Sequence, residues 1–327
     1  LPSQSFLRIL TAPDTYQLLI KAVHGDSHKL KRFLECSISV ENVRNGLVER
    51  TSKNCWSANG DLYLAHNGHH IRTPLLVNSI PIDAESIFAK RDMLVSGFRP
   101  IKYGKACQFT KAELKCAYSK IFSAYSKIRT VNNLVADFIG HFTKTIILRK
   151  DLRNINTFQS SSCDGYIGQI VLLNPHLSHA SCELVAEALI HESIHALLWR
   201  AEVMSSTTEN IPLDMETVYS PWSQLELKFD TFLQACYVWY GIASFWKEAQ
   251  GEKIFNSQKL DYLFRRSMAG FEERRFMKVI DQNAHRLNSQ TYKSLQKISK
   301  SSQMLLLNAY RNPVLLKKVA KKEWKHT

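Results

Sequence analysis

The chain has 327 residues, of which 45% are apolar, and its formal net charge is +14. This apolar fraction is sufficient for a folded core and argues against a disordered chain. The absence of an apolar run of about 18 residues argues against a transmembrane helix. Seven scattered cysteines without a C-x-x-C pair argue against a disulfide framework or a zinc ribbon, and they favour a cytoplasmic protein.

The N-terminal third is predicted to mix helices and strands. Residues 5–50 are predicted to form short helices, and residues 61–83 contain short apolar runs typical of strands. Asn67-Gly68, a dipeptide typical of hairpin turns, separates two of these runs. Loop composition favours an exposed polar turn over a metal site for the histidines nearby, which are His66, His69 and His70.

The middle of the chain is predicted to form a long helix and two strands. Thr110 and Glu113 have the spacing of a capping box at the start of a helix over 110–141. Residues 143–150 and 166–173 are predicted to be strands, and the second is entered through glycine and ended by Asn-Pro.

The most informative motif, His191-Glu192-Ser193-Ile194-His195, lies in a helix predicted over about 180–202. Histidines four residues apart lie on the same face of a helix, so both imidazoles can bind one divalent metal with Glu192 beside them. The histidines share their face with apolar residues, which predicts a largely buried helix. Three adjacent polar side chains are costly to bury without a metal or hydrogen-bonding partners.

A polar loop is predicted over 203–221, and three helices are predicted to follow it, over 222–249, 252–286 and 288–309. The predicted fold class is α+β and mostly helical, with a small sheet packed beside a zincin-like HExxH helix and a C-terminal helical bundle. An approximate boundary divides an N-terminal part of helices and strands, 1–105, from a metal-site domain, 106–327.

A catalytic metal site needs at least one more ligand, and the helix predicted over 222–249 is its best source. Glu226, Asp230 and Gln234 recur every four residues and would form one stripe on that helix. Glu226 and Asp230 also fit the E-x-x-x-D pattern of gluzincin peptidases, in which the Glu ligates zinc and the Asp orients a motif histidine. The alternative is a polar helix face exposed to solvent.

The chain resembles the HExxH-type 2-oxoglutarate-dependent peptide β-hydroxylases, which are found with ribosomally made, modified peptides. The resemblance covers roughly 155–310 and is carried by residues 188–198, Tyr219-Ser220-Pro221-Trp222 and residues 232–246. It implies an iron(II) enzyme that uses oxygen and 2-oxoglutarate to hydroxylate a side-chain β-carbon of a precursor peptide.

The resemblance also implies roles for particular residues. His191 and His195 would bind iron with Asp230 or Gln234, and Glu192 would lie outside the ligand set. This chain departs from the family where arginines usually follow Ser-Pro-Trp, and where a histidine usually stands at position 234. Contacts with the substrate or co-substrate are assigned to Tyr219, Trp222, Arg265 and Arg274. For the two arginines, the assignment follows from chain position only.

Two other functions remain open. In a gluzincin-like zinc metallopeptidase, His191, His195 and Glu226 would bind zinc, and Glu192 would act as general base. In a catalytically inactive peptide-binding or partner module, the third ligand would have been lost, as the departures at 223–228 and at Gln234 suggest.

The distribution of basic residues indicates the kind of partner expected for all three functions. Lysines and arginines are concentrated at the C-terminus, where a basic tail can attract an acidic leader segment of a peptide substrate. The basic residues are not interleaved with aromatic residues in the way typical of RNA-binding proteins, so a nucleic acid partner is disfavoured.

Overall fold

The computed structural model describes the chain over five ranges: 1–77, 79–90, 107–152, 155–204 and 217–310. The fold is α+β and mostly helical, as predicted. None of the helices in these ranges is long and apolar enough to cross a membrane. None of the seven cysteines, all of which lie within the described ranges, forms a disulfide bond. The basic C-terminal residues 311–327 lie outside those ranges.

The chain divides into two compact units, Leu1–Met204 and Ser205–Thr327. The first unit begins with the predicted short helices, which are α1 (Ser3–Leu10), α2 (Pro13–Val23) and α3 (Ser27–Arg44). A small antiparallel sheet follows, formed by β1 (Cys55–Trp56), β2 (Leu62–Leu64) and β3 (His70–Arg72). The predicted hairpin turn joins β2 to β3, and Gly68 adopts a φ of +85° there. His66, His69 and His70 are exposed, as predicted.

A five-stranded sheet forms the centre of the first unit. Its strands are β4 (Leu75–Leu76), β5 (Ile80–Asp83), β6 (Thr145–Arg149), β7 (Gln159–Ser161) and β8 (Gln169–Leu173), in the order β4-β5-β6-β8-β7. β5, β6 and β8 run parallel, whereas β4 and β7 are antiparallel edge strands. Every residue of the three parallel strands is buried, which is typical of strands covered on both faces.

The domain boundary predicted near residue 105 falls in residues 91–106, which lie outside the described ranges. On either side of it, Ile82 of β5 pairs with Ile146 of β6. The sheet therefore joins the two predicted domains into one unit, and the chain divides after Met204 instead. Parallel pairing between strands distant in sequence leaves no local signal, so the sequence did not reveal that these segments share a sheet.

Within its described residues, the first unit has four further α-helices, α4 (Ile87–Lys90), α5 (Lys111–Val131), α6 (Asn133–Phe142) and α7 (Cys182–Met204). The capping box predicted from Thr110 and Glu113 is present at the start of α5. The single helix predicted over 110–141 is divided at Asn132, whose φ of −154° ends α5. The Asn132 side chain then accepts hydrogen bonds from the first amides of α6, so it caps that helix.

Glu113 joins the capping box to an ion pair. Its Oε2 accepts from the Thr110 amide at 2.7 Å, and its Oε1 accepts from Lys150 Nζ at 2.6 Å. The hydrogen bond from Lys150, followed by that from the Thr110 backbone, lowers the pKa of Glu113 to about 2. A carboxylate with a depressed pKa stabilises the fold above its unfolded pKa and loses that contribution as the pH falls through its folded pKa.

We therefore expect the stabilisation by Glu113 to be complete above pH 4.5, its ordinary pKa, and to disappear as the pH falls toward 2. Urea midpoints measured at pH 6 and pH 3 should differ less in Glu113→Gln than in the wild type. Glu252→Gln removes an exposed carboxylate at the end of a helix and is the matched control. Equal pH dependence in wild type and Glu113→Gln would contradict the expectation.

The second unit begins with a hairpin of β9 (Thr217–Tyr219) and β10 (Glu226–Lys228). Its helices are α8 (Phe229–Glu252), α9 (Ser257–Met268), α10 (Arg275–Gln282) and α11 (Ser289–Tyr310). α8 contacts α9 and α11, and α10 contacts α11. The helix predicted over 288–309 is confirmed as α11. β9 lies within the predicted loop over 203–221, of which 205–216 lie outside the described ranges.

Two helix predictions in this unit need correction. The helix predicted from residue 222 begins at Phe229, because Leu227 pairs with Val218 in the hairpin and Gln224 turns the chain at a φ of +55°. The helix predicted over 252–286 is two helices, α9 and α10. Its interruption coincides with a close contact between the Gly270 backbone and the Trp222 ring.

Candidate metal centre

The motif helix α7 is buried on most sides, as predicted, and its histidines lie on a less buried face. Glu192, Ser193 and Ile194 are buried, whereas His191 and His195 are half-buried. Ser193 Oγ donates to the Leu189 carbonyl at 2.7 Å and lies 2.8 Å from Thr143 Oγ1. The residues between the two histidines therefore fix the helix to the rest of the first unit and leave the imidazoles on the accessible side.

The two motif histidines are arranged as a chelating pair. His191 Nε2 and His195 Nε2 are 3.2 Å apart, and the two rings are tilted with centroids 4.9 Å apart. Two nitrogens bound at about 2.0–2.1 Å to one tetrahedral metal are about 3.3–3.4 Å from each other. Trp199 stacks on His195 with centroids 5.3 Å apart, which restricts the rotation of that imidazole. The histidine geometry therefore fits a single divalent ion.

Glu192 completes a cluster with the two histidines. One carboxylate oxygen and one nitrogen from each ring all lie within 4.8 Å of one another. The Glu192 side chain is only 3% exposed, so it needs hydrogen-bond donors. Ser160 Oγ donates to Oε1 at 2.7 Å, and Ser162 Oγ donates to Oε2. Both carboxylate oxygens are therefore held by hydroxyl groups.

The two serines come from the edge strand of the five-stranded sheet. Ser160 lies on β7, and Ser162 is the residue after its end. β7 was not predicted from the sequence, because serines and glutamine are not typical strand residues and show no apolar alternation. The strand predicted over 166–173 is β8, which is internal, whereas β7 is at the edge of the sheet. Two serines at i and i+2 upstream of the motif are the signal that could have revealed them.

The three candidates for the third ligand all belong to the second unit. Glu226 lies exposed on β10, so the prediction that it shares a helical stripe with Asp230 and Gln234 is wrong. Asp230 is exposed in the first turn of α8, where its carboxylate accepts from the Thr231 amide at 2.6 Å. Gln234 is half-buried one turn later on the same face. The role of each residue as a ligand stays a prediction.

The residues assigned to substrate binding also lie in the second unit. Tyr219 on β9 is 53% exposed. Arg265 is half-buried on α9, with one guanidinium nitrogen 4.0 Å from Asp261, and Arg274 is exposed in a turn with a φ of +54°. Their roles stay predictions.

Trp222, in contrast, makes the contacts of a packing residue. Its side chain is 6% exposed, and its indole Nε1 donates to the Ser267 carbonyl at 3.0 Å. Its ring packs edge-on against Phe271 with centroids 5.1 Å apart. These contacts explain the tryptophan at this position, because its side chain packs in the core of the second unit.

No protein-family model matches the chain, and no curated protein matches it. Assignment to the peptide β-hydroxylases therefore depends on the residues quoted for the resemblance, and it stays a prediction.

Proposed function

We propose that this protein is a cytoplasmic non-haem iron(II) enzyme that hydroxylates a side-chain β-carbon of a ribosomally made peptide, with 2-oxoglutarate and oxygen as co-substrates. The observation that carries the proposal is the pair of Nε2 atoms of His191 and His195, which are 3.2 Å apart beside the buried carboxylate of Glu192. The resemblance of the surrounding sequence supplies the choice of iron chemistry.

The donor set fits a catalytic metal. Imidazole nitrogens suit iron as well as zinc, and a carboxylate as third ligand gives the facial triad of non-haem iron oxygenases. We propose Asp230 for that ligand, with Gln234 as the alternative from the same helix. When bound, iron and 2-oxoglutarate supply the oxidising chemistry, and the protein supplies binding and orientation. Arg265 and Arg274 are the candidates, by chain position alone, for holding 2-oxoglutarate.

The residues of the motif have separate tasks in this proposal. His191 and His195 bind the metal through Nε2, and Trp199 orients His195 by stacking on it. Both oxygens of Glu192 accept from hydroxyl groups, and in this proposal the residue stays outside the ligand set and orients neighbouring groups.

A zinc peptidase is the second candidate, because a Glu192 oxygen lies within 4.8 Å of both ring nitrogens, where a general base could reach a metal-bound water. The position of Glu226 weighs against it. A gluzincin takes its third ligand from a helix, whereas Glu226 lies exposed on β10. A chain that binds no metal would be the inactive peptide-binding or partner module.

The substitution Glu192→Gln separates these functions. We expect iron-dependent release of succinate from 2-oxoglutarate in the wild type and at least part of that activity in Glu192→Gln, because the oxygenase needs no base at this position. Glu202→Gln, which changes an exposed acid on the same helix, is the control. Zinc at one ion per chain, together with cleavage of unfolded casein that is lost in Glu192→Gln, would establish the peptidase instead. Absence of bound metal would establish the inactive module.

A further inference from the structure

Ser160 and Ser162 connect the edge strand of the sheet to the motif helix through Glu192. We propose that these two residues, the serine clamp, are positioning residues that hold Glu192 out of the ligand set and so maintain the affinity of the His191–His195 site for a divalent metal. The proposal rests on the metal centre proposed above and adds to it two residues that lie 29 or more positions upstream of the motif histidines.

The clamp satisfies a carboxylate that is nearly removed from water. Glu192 is 3% exposed, and a buried charge without donors is strongly unfavourable. Ser160 Oγ donates to Oε1 at 2.7 Å, and Ser162 Oγ donates to Oε2, so each oxygen has one hydroxyl donor. Hydrogen bonds to a charged group are among the stronger ones in proteins, and two of them fix the plane of the carboxylate.

Pairing within the sheet holds the serines in place. Residues two apart in an extended segment point to the same side, which directs both hydroxyls toward α7. Ser160 pairs with Leu172 and Ser161 with Val171 of the fully buried strand β8. α7 contacts both β7 and β8. Ser160 therefore lies on a fixed strand and Ser162 directly follows it, which is the arrangement that a preorganised site requires.

The position of the carboxylate explains how the clamp acts on the metal. One Glu192 oxygen lies within 4.8 Å of a ring nitrogen of His191 and of His195, close enough to accept a hydrogen bond from an imidazole N–H if the side chain turned, and so to compete with the ion for that ring. Without the hydroxyls, Glu192 would remain a buried charge without these donors, directly beside the two ligands. Groups that orient ligands from outside the ligand set typically change metal affinity by about 10–100-fold when they are replaced.

The test is titration of the full chain with Co²⁺ alone. We expect Ser160→Ala/Ser162→Ala to bind Co²⁺ about 10–100-fold more weakly than the wild type. Ser160→Thr/Ser162→Thr keeps both hydroxyls and should restore most of the affinity. In a Glu192→Gln background the two alanines should change the affinity much less, because the charge that needs the clamp is gone.

The controls separate failure of the clamp from failure of the metal centre. The urea midpoint without metal shows whether Ser160→Ala/Ser162→Ala is folded. If it is not folded, Ser160→Thr/Ser162→Thr still tests whether the hydroxyls maintain the affinity for Co²⁺. Equal or tighter Co²⁺ binding by the folded alanine variant overturns the clamp while leaving the metal centre intact. A loss of Co²⁺ affinity that persists in Ser160→Thr/Ser162→Thr also overturns the clamp. So does an equal loss when the two alanines are introduced into the Glu192→Gln background. A wild type that binds Co²⁺ no better than His191→Ala overturns both proposals.

Discussion

His191→Ala is expected to raise the Kd for a divalent metal by about 100–1000-fold. Structural zinc sites with four protein ligands bind with about 10–16 kcal/mol, or about 2.5–4 kcal/mol for each ligand. Each 1.4 kcal/mol corresponds to a factor of ten in Kd. His191 supplies one of the two nitrogens that are 3.2 Å apart, and His195 alone cannot chelate the ion. Calorimetric titration with Co²⁺ measures the loss.

The fold itself should tolerate this substitution, because His191 is only half-buried and lies on the less buried face of α7. The urea midpoint of the metal-free variant should therefore remain close to that of the wild type. His28→Ala removes an exposed imidazole from α3 and is the matched control for the loss of a histidine. Equal metal affinity in His191→Ala and His28→Ala would show that the motif does not bind the ion.

Gly270→Ala is expected to destabilise the second unit by about 1–3 kcal/mol or more, as overpacking of a core does. A Cβ at position 270 would lie 2.2 Å from Trp222 Cε2, far inside van der Waals contact. The indole cannot move aside easily, because its Nε1 donates to the Ser267 carbonyl and its ring packs on Phe271. The urea midpoint should fall accordingly.

Gly251→Ala is the matched control for this prediction. Gly251 lies in α8, and a Cβ there would meet nothing within 4 Å. Alanine should therefore stabilise the helix by about 0.5–1 kcal/mol, since glycine loses more backbone entropy on folding. Similar midpoints for Gly270→Ala and Gly251→Ala would contradict the packing role given to Trp222 and return it to the candidates for substrate binding.

The elements that could be predicted from the sequence are those with local signals. Thr110 and Glu113 are three residues apart, and both hydrogen bonds of their capping box form. His191 and His195 are four residues apart, and helical geometry alone brings their rings together. Asn67-Gly68 specifies its own turn. Each pattern is decided within a few residues, so neighbouring elements do not alter it.

The elements that were missed depend on pairing between distant segments. Ser160 belongs to a strand because it pairs with Leu172, and nothing in a run of serines favours that conformation. Glu226-Leu227-Lys228 has residues that a helix accepts, yet pairing with β9 keeps it extended and moves the start of α8 to Phe229. The break between α9 and α10 coincides with the contact between Gly270 and Trp222, which are 48 positions apart.

The residues of the candidate site also fall into those with a local signal in the sequence and those that depend on pairing between distant segments. The metal-binding pair follows from spacing alone, whereas the serines that hold Glu192 come from a strand that only tertiary pairing forms. A helical stripe that included Glu226 was an inference from periodicity, and periodicity cannot reveal a hairpin that replaces the first turn of a predicted helix.

The most direct test of the proposed iron centre is diffraction from crystals grown without oxygen in the presence of iron(II) and 2-oxoglutarate, with anomalous data collected at the iron absorption edge. We expect one iron peak within about 2–2.5 Å of Nε2 of both His191 and His195. We also expect Asp230 or Gln234 as the third ligand and Glu192 outside the ligand set. An iron peak away from the two histidines, or a metal held by both histidines and Glu226, would contradict the proposal.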